Sequence, residues 1–273
     1  MLTFFLRTVF FTFLPLSVFA NTLHESPMPE KVLDYLVYSD HNAPYQFMDV
    51  ETGHKGIVCS IVDRVAQEAG LTVHAHMEPI KRLKRSIESG RYRQWITYGM
   101  KNWENDPAWS QHHFSEVSIF QFNPAIVLPS SSVLKLESLA DIGARKVLTI
   151  HGFDYGRVQD FLVKRGAEIE AVDTQQKALN MLRQGRADVF LEDVLRVRYA
   201  LASMDWSADY FKMVPLRPLD DSGAFSVTLV MSSDMPSSIV ESVNGTLNEM
   251  SASGQLREIV ERYSQPRDDR LSD

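Results

Sequence analysis

The chain is short of cysteine, of long apolar runs and of basic charge, and each shortage narrows what it can be. Cys59 is the single cysteine among 273 residues. One thiol cannot close an internal disulfide, so in an oxidising compartment the fold has to rest on its hydrophobic core. The length is sufficient for that and permits two lobes. Lys and Arg number 28 against 35 Asp and Glu, a formal net charge of −7. That balance argues against nucleic acid or an anionic membrane surface as a partner, because both need a basic footprint. Low-complexity runs and short-period repeats are also missing, so the chain reads as globular.

The one marked apolar run stands at the start. Met1 to Ala20 carries a single charge, Arg7, followed by apolar sequence from Thr8 to Leu14, then Pro15 and Ser17-Val18-Phe19-Ala20. A basic start, an apolar core too short to span a bilayer comfortably and small residues before Asn21 describe a cleaved secretory signal, with an uncleaved anchor as the competing reading. Cys59 lies far downstream, so no lipid-anchoring cysteine follows the cleavage site. The expectation is an exported, periplasmic protein with a loose leader over 21–31 and a polar tail over 265–273. No membrane-spanning run follows Tyr263, which argues against a sensor fused to a membrane segment.

The segment from Lys146 to Asp193 organises the rest. Val147 to Ile150 is a short apolar run, His151 to Gly156 a glycine-containing turn, and Val158, Phe161 and Leu162 recur at helical spacing. A strand over Glu168 to Val172, a helix over Thr174 to Arg186 and a strand over Ala187 to Leu191 repeat the pattern. Strands alternating with helices imply parallel pairing and an α/β fold, since each crossover must cover a sheet face. Small ligands bind such sheets beyond the carboxyl ends of the strands, where the next helix offers unpaired N–H groups. The turn at Gly152, Phe153 and Tyr155, and the pair Glu192-Asp193, fall there.

Before that segment come strand Val32 to Tyr38, a helix over Ile57 to Ala69, strand Leu71 to Met77, a helix opened by Pro79-Ile80 and strand Arg93 to Gly99. In Leu71 to Met77 strict alternation puts Leu71, Val73, Ala75 and Met77 on the inner face, with His74 and His76 on a solvated one. No third metal ligand is placed near these histidines, and the adjacent His112-His113 point opposite ways on an extended chain, so neither pair is read as a metal site. Cys59 and Asp63 are assigned no chemistry. Near Phe122 to Leu128 the chain is expected to cross to a second sheet, with a short helix over Leu136 to Ile142. Strand Phe225 to Met231 returns, and helices over Ile239 to Met250 and around Leu256 to Tyr263 close the fold.

Gly152-x-x-Tyr155-Gly156 after a strand, then Ala178-Leu179, Leu182, Gly185-Arg186-Ala187-Asp188-Val189 and Asp193, resembles the second lobe of the type 2 periplasmic solute-binding proteins, specifically family 3, which includes the polar amino-acid receptors of ABC importers. Val243 to Tyr263 resembles the terminal helix pair of that family, and the likeness spans residues 32 to 264. The resemblance implies a two-lobed fold, each lobe a mixed sheet flanked by helices. Lobe 1 would hold 32–124 and 224–264, lobe 2 125–223, with crossings near Asn123 and Ala224. It implies capture of a small polar solute by hinge closure and delivery to an ABC-type permease, in a monomer without cofactor or metal. A dehydratase-like enzyme on the same fold and a soluble sensor for a separate membrane receptor are the rival readings.

By the same resemblance Tyr45 and Phe47 cover the ligand from lobe 1, with core packing as the alternative. Arg82 points into the cleft as an anion clamp or outward as a helix charge; after the strand come Tyr98, Lys101, which with Arg82 is a candidate substitute for the family's carboxylate-binding arginine, and Trp103 and Trp109, cleft aromatics or else surface or core residues. The turn from Gly152 through Phe153 to Tyr155 offers backbone N–H groups. Asp193 accepts from a ligand ammonium or caps the helix Val194 to Ser203, and Asp154 reads as a helix cap. The arginine that binds the ligand carboxylate in this family is missing here, with Ala108 or Asn105 in its place. The reading also requires a groove that the chain's own side chains do not plug.

Overall fold

The computed structural model describes residues 32–38, 42–49, 53–153, 155–216 and 226–264. The signal over 1–20, the leader over 21–31, the tail, the Asp154 cap and the crossing near Ala224 lie outside these residues. The described residues fall in one compact unit, which holds both sheets described below.

The first sheet begins with β1 (Val32–Tyr38). A hairpin follows, of β2 (Phe47–Asp49) and β3 (Gly53–Lys55), and then α1 (Ile57–Glu68), β4 (Thr72–Glu78), α2 (Ile80–Glu88) and β5 (Trp95–Met100). Two short strands, β6 (His113–Phe114) and β7 (Phe120–Gln121), complete this part. The second sheet is built from β8 (Pro124–Pro129), β9 (Lys146–Ile150), α3 (Gly156–Lys164), β10 (Glu168–Val172), α4 (Gln175–Arg183), β11 (Val189–Asp193), α5 (Val194–Ser203) and β12 (Phe211–Pro215). The chain then returns with β13 (Ser226–Met231), α6 (Ser237–Ala252) and α7 (Gln255–Ser264).

Strand order is β4-β1-β5-β13-β6 in the first sheet, with β7 also on β13, and β10-β9-β11-β8-β12 in the second. β1 runs parallel to β4 and β5, and β9 parallel to β10 and β11. The strands that enter from the other half, β8 and β13, pair antiparallel. Both sheets are therefore mixed, and each places a cluster of strand carboxyl ends where the next helix starts.

The second sheet is covered on both faces, which explains its continuous apolar strands. In β11, Phe190 joins Leu148, Val127 and the helix residues Leu179 and Val197 on one side. Val189 and Leu191 join Val147, Ile126 and Leu162 on the other. The first sheet buries Leu33, Leu36, Ile96 and Leu229 against the α1 stripe of Ile57, Ile61, Val62 and Val65 and against Val243 and Leu247 of α6. Each such side chain contributes roughly 1.5–3 kcal/mol on burial.

Three local expectations change. Alternation in β4 breaks from Ala75 on, where Ala75 and Met77 are exposed, His76 is half-buried and Glu78 is buried. β4 is an edge strand, and Glu78 turns inward because Ser86, Arg91 and Tyr92 donate to it at 2.8–2.9 Å. The helix expected over Leu136 to Ile142 is a single 3-10 turn, Leu139–Ile142, capped by Ser138. The hairpin β2–β3 and strand β6 are too short to register in the sequence, and β12 follows a segment whose pattern gave no strand signal.

Candidate functional site

The loop after β1 is held from below. Gln46 is fully buried; its side-chain amide donates to Tyr35 Oη at 2.8 Å and to the Leu36 carbonyl at 3.2 Å, while its carbonyl accepts from Tyr38 N at 3.1 Å. The start of α1 ties down the same loop, Val58 N donating to the Tyr45 carbonyl at 2.9 Å and Ile57 N to the Pro44 carbonyl at 2.9 Å. Gly56 makes that approach possible. Its φ is +125°, and a Cβ there would stand 2.4 Å from the Tyr45 carbonyl oxygen, a clash no side chain tolerates. The result is a rigid pedestal for the Tyr45 ring, which stacks on Phe120 with centroids 4.8 Å apart.

At the carboxyl end of β11 the sequence turns directly into α5, and Asp193 caps that helix. Its Oδ1 accepts from Leu195 N at 2.9 Å and Arg196 N at 3.3 Å, and its Oδ2 from Asn123 N at 2.6 Å. The Tyr45 hydroxyl donates to the same Oδ1 at 2.5 Å, joining the first half of the chain to the second. Asp193 is wholly buried. Burial pushes its carboxyl above the usual range, and the Tyr45 hydroxyl and the Arg196 charge hold it back.

Arg196, one turn further along α5, is the centre of the cluster. Its guanidinium carbon lies 4.7 Å from the Tyr45 ring centroid and 4.4 Å from that of Phe153. Nη2 donates to Asn42 Oδ1 at 2.8 Å, an oxygen that also accepts from Tyr98 Oη at 2.9 Å. Nη1 stands 3.6 Å from Glu192 Oε1. Only 6% of Arg196 is exposed, and its Nε is buried without a hydrogen-bond partner among the described residues. Glu192 is held by Gln175 Nε2 at 2.9 Å and by Asp193 N at 2.8 Å. Burial raises its carboxyl too, against the opposing charge of Arg196. A planar cation between two ring faces, beside two carboxylates in a dry site, is held by ring quadrupole and charge together.

The structure thus brings Tyr45, Tyr98, Phe153 and Asp193 together. Phe47 is near them in the fold, its ring 5.9 Å from Tyr199 of α5. Tyr155 accepts from Ile150 N at 2.9 Å and packs on the second sheet's core, and Gly152 lies in an exposed turn. Three candidates have their contacts elsewhere. Arg82 is on the exposed face of α2, Lys101 pairs with Glu104, and the Trp103 ring lies over Gly99 with its centroid 5.0 Å from that of Trp109. Asn105 and Ala108 both face solvent. Among the described residues no three His, Cys, Asp or Glu side chains gather as metal ligands, and His76 pairs with Asp34 at 2.7 Å.

Sequence reasoning missed Arg196 and Asn42. Arg196 had a signal: Val197, Ala200 and Leu201 form the buried stripe of α5, and Arg196 occupies the remaining inward position of that stripe. A charge where helical period demands an apolar residue needs a buried partner. Arg196 lies between the Tyr45 and Phe153 rings because this helical position faces the opposite half once Asp193 caps α5.

Two mixed sheets flanked by helices, with the last strand returned to the first sheet, make the fold of two-domain periplasmic binding proteins. No family model matches the chain. It is 22% identical over 247 residues, 89% of each chain, to a probable amino-acid ABC transporter-binding protein of Haemophilus influenzae. Among solved structures it is similar to an ancestral arginine-binding protein bound to arginine, with a TM-score of 0.65 and 18% identity over 86% of this chain and 99% of that one. The unliganded, open L-cystine solute receptor of Neisseria gonorrhoeae matches with a TM-score of 0.61 and 20% identity, over 86% and 94% of the two chains. These likenesses agree with the two-sheet fold that the motif resemblance implies.

Proposed function

We propose that the protein is a periplasmic solute-binding receptor that captures a small polar ligand, an amino acid or a related amine or carboxylate, and delivers it to the permease of an ABC importer. The observation that carries the reading is a polar and aromatic cluster assembled from both sheets at their strand ends. Asn42, Tyr45 and Tyr98 come from the first half, Phe153, Asp193 and Arg196 from the second. Contacts to both halves exist only when these meet, so a ligand that makes them shifts the population toward closure. The two lobes would be 32–124 with 224–264, and 125–223, rotating about the crossings near Asn123 and Ala224. The names of the curated relative and of the structural neighbours, all binding proteins or receptors, support the same reading. So does the chemistry, because Glu192 and Asp193 each accept hydrogen bonds from the protein itself, which suits orientation better than acid–base turnover. The receptor acts as a monomer and reaches the periplasm by the signal over 1–20.

A thermal-shift panel of amino acids, polyamines, dipeptides and small carboxylates tests the proposal. One class should raise the melting temperature, the gain being about 2.7 kcal/mol at a hundredfold excess over Kd. No response to any class, together with turnover of one of them, would replace the receptor with an enzyme.

A further inference from the structure

Arg196 is chemically odd for the place it holds. It carries the one guanidinium within the cluster, it is stacked between a ring from each half, and its Nη2 reaches across to Asn42 while its Nε donates to nothing described. The neighbouring Tyr45–Asp193 bond also spans the two halves, and Leu195 of the same helical turn packs against the first sheet's core. One turn of α5, Asp193 to Arg196, therefore supplies a hydrogen-bonded cap, an apolar contact and a buried cation to the opposite half. From this arrangement we infer that Arg196 is a built-in latch: it occupies the cation place of the chain's own cleft, holds the halves together without solute, and must withdraw before a solute can enter.

The latch deepens the receptor reading, and rests on it only for the identity of what Arg196 excludes. Two consequences follow from its chemistry. The cage of Tyr45, Phe153, Asn42, Glu192 and Asp193 is complementary to a planar cation, so emptying it creates a site for a free one. Removing the latch also leaves two buried carboxylates without their cation, and hydration of those groups favours separation of the halves.

The experiment uses Arg196→Ala. Guanidinium chloride at about 10 mM should raise the melting temperature of this variant above that seen in equal sodium chloride, while the wild type shows no such difference. Solution scattering without solute should give the wild type a compact profile and the variant a larger radius of gyration that guanidinium reverses. A wild type already open without solute, or a variant with neither the guanidinium effect nor the expansion, overturns the latch. Should Arg196→Ala not fold, Asn42→Ala removes the acceptor that Arg196 reaches across the cleft, with Tyr98→Phe as the control for the Tyr98 hydroxyl that shares it; expansion in Asn42→Ala beyond that control supports the latch, and an unchanged profile refutes it. A solute panel without effect on the wild type, alongside the expected behaviour of the variants, would remove the receptor reading and leave the latch standing.

Discussion

The hydroxyl of Tyr45 allows the join between the two halves to be weighed with a change of one atom. Tyr45→Phe leaves the ring in place, with its stack on Phe120 at 4.8 Å and its contact with the Arg196 guanidinium at 4.7 Å. What goes is the 2.5 Å bond to Asp193 Oδ1. A hydrogen bond to a charged group is worth about 1.5–3 kcal/mol. Asp193 is not orphaned by the loss, because Asn123 N, Leu195 N and Arg196 N still donate to it. The lower part of that range applies, about 1.5–2 kcal/mol. For a body of this size the corresponding fall in melting temperature is roughly 3–8 °C. Urea titration should show the midpoint moving at constant slope. A double-mutant cycle with Asp193→Asn should then return a coupling of at least about 1 kcal/mol between the two side chains. A stability change below about 0.5 kcal/mol, or zero coupling, would mean that the hydroxyl and the carboxylate do not meet in solution, and the closed arrangement of the site would have to be given up.

Other changes test other parts of the argument. Glu192 is raised by burial, and a carboxyl raised on folding gives stability that is complete below its unfolded pKa and lost as pH climbs through the folded one. The stability of wild type relative to Glu192→Gln should therefore fall as pH rises from about 4.3, measured by urea melts from acid to neutral pH; a difference independent of pH refutes it. Gly56→Ala drives a Cβ to 2.4 Å from the Tyr45 carbonyl at a φ of +125° and should cost at least about 2 kcal/mol, read by the same melts, a neutral outcome showing that the Tyr45 loop yields. Phe190→Ala empties the centre of the second sheet's core, where Phe190 is fully buried, and should cost about 3–5 kcal/mol.

The order of strands and helices was legible because each element buries one face, and burial writes its period into the chain. The α1 stripe, the continuous apolar run of β11 and the Val243–Leu247–Met250 series of α6 all stand where the spacing placed them. The places of Asp193 at the end of β11 and of Phe153 beyond β9 were legible for the same reason. Local pattern failed where a partner far along the chain decides the environment. Glu78 is buried only because Ser86, Arg91 and Tyr92 fold back over it. Tyr45 meets Asp193 across 148 residues and Arg196 meets Asn42 across 154. Periodicity says which side of a helix faces inward, and so the sequence alone determined that Arg196 stands on the inner stripe of α5. Only the tertiary structure decided that this inner side looks into the opposite half, because that depends on how two sheets are set against each other, and no repeat within either one encodes it.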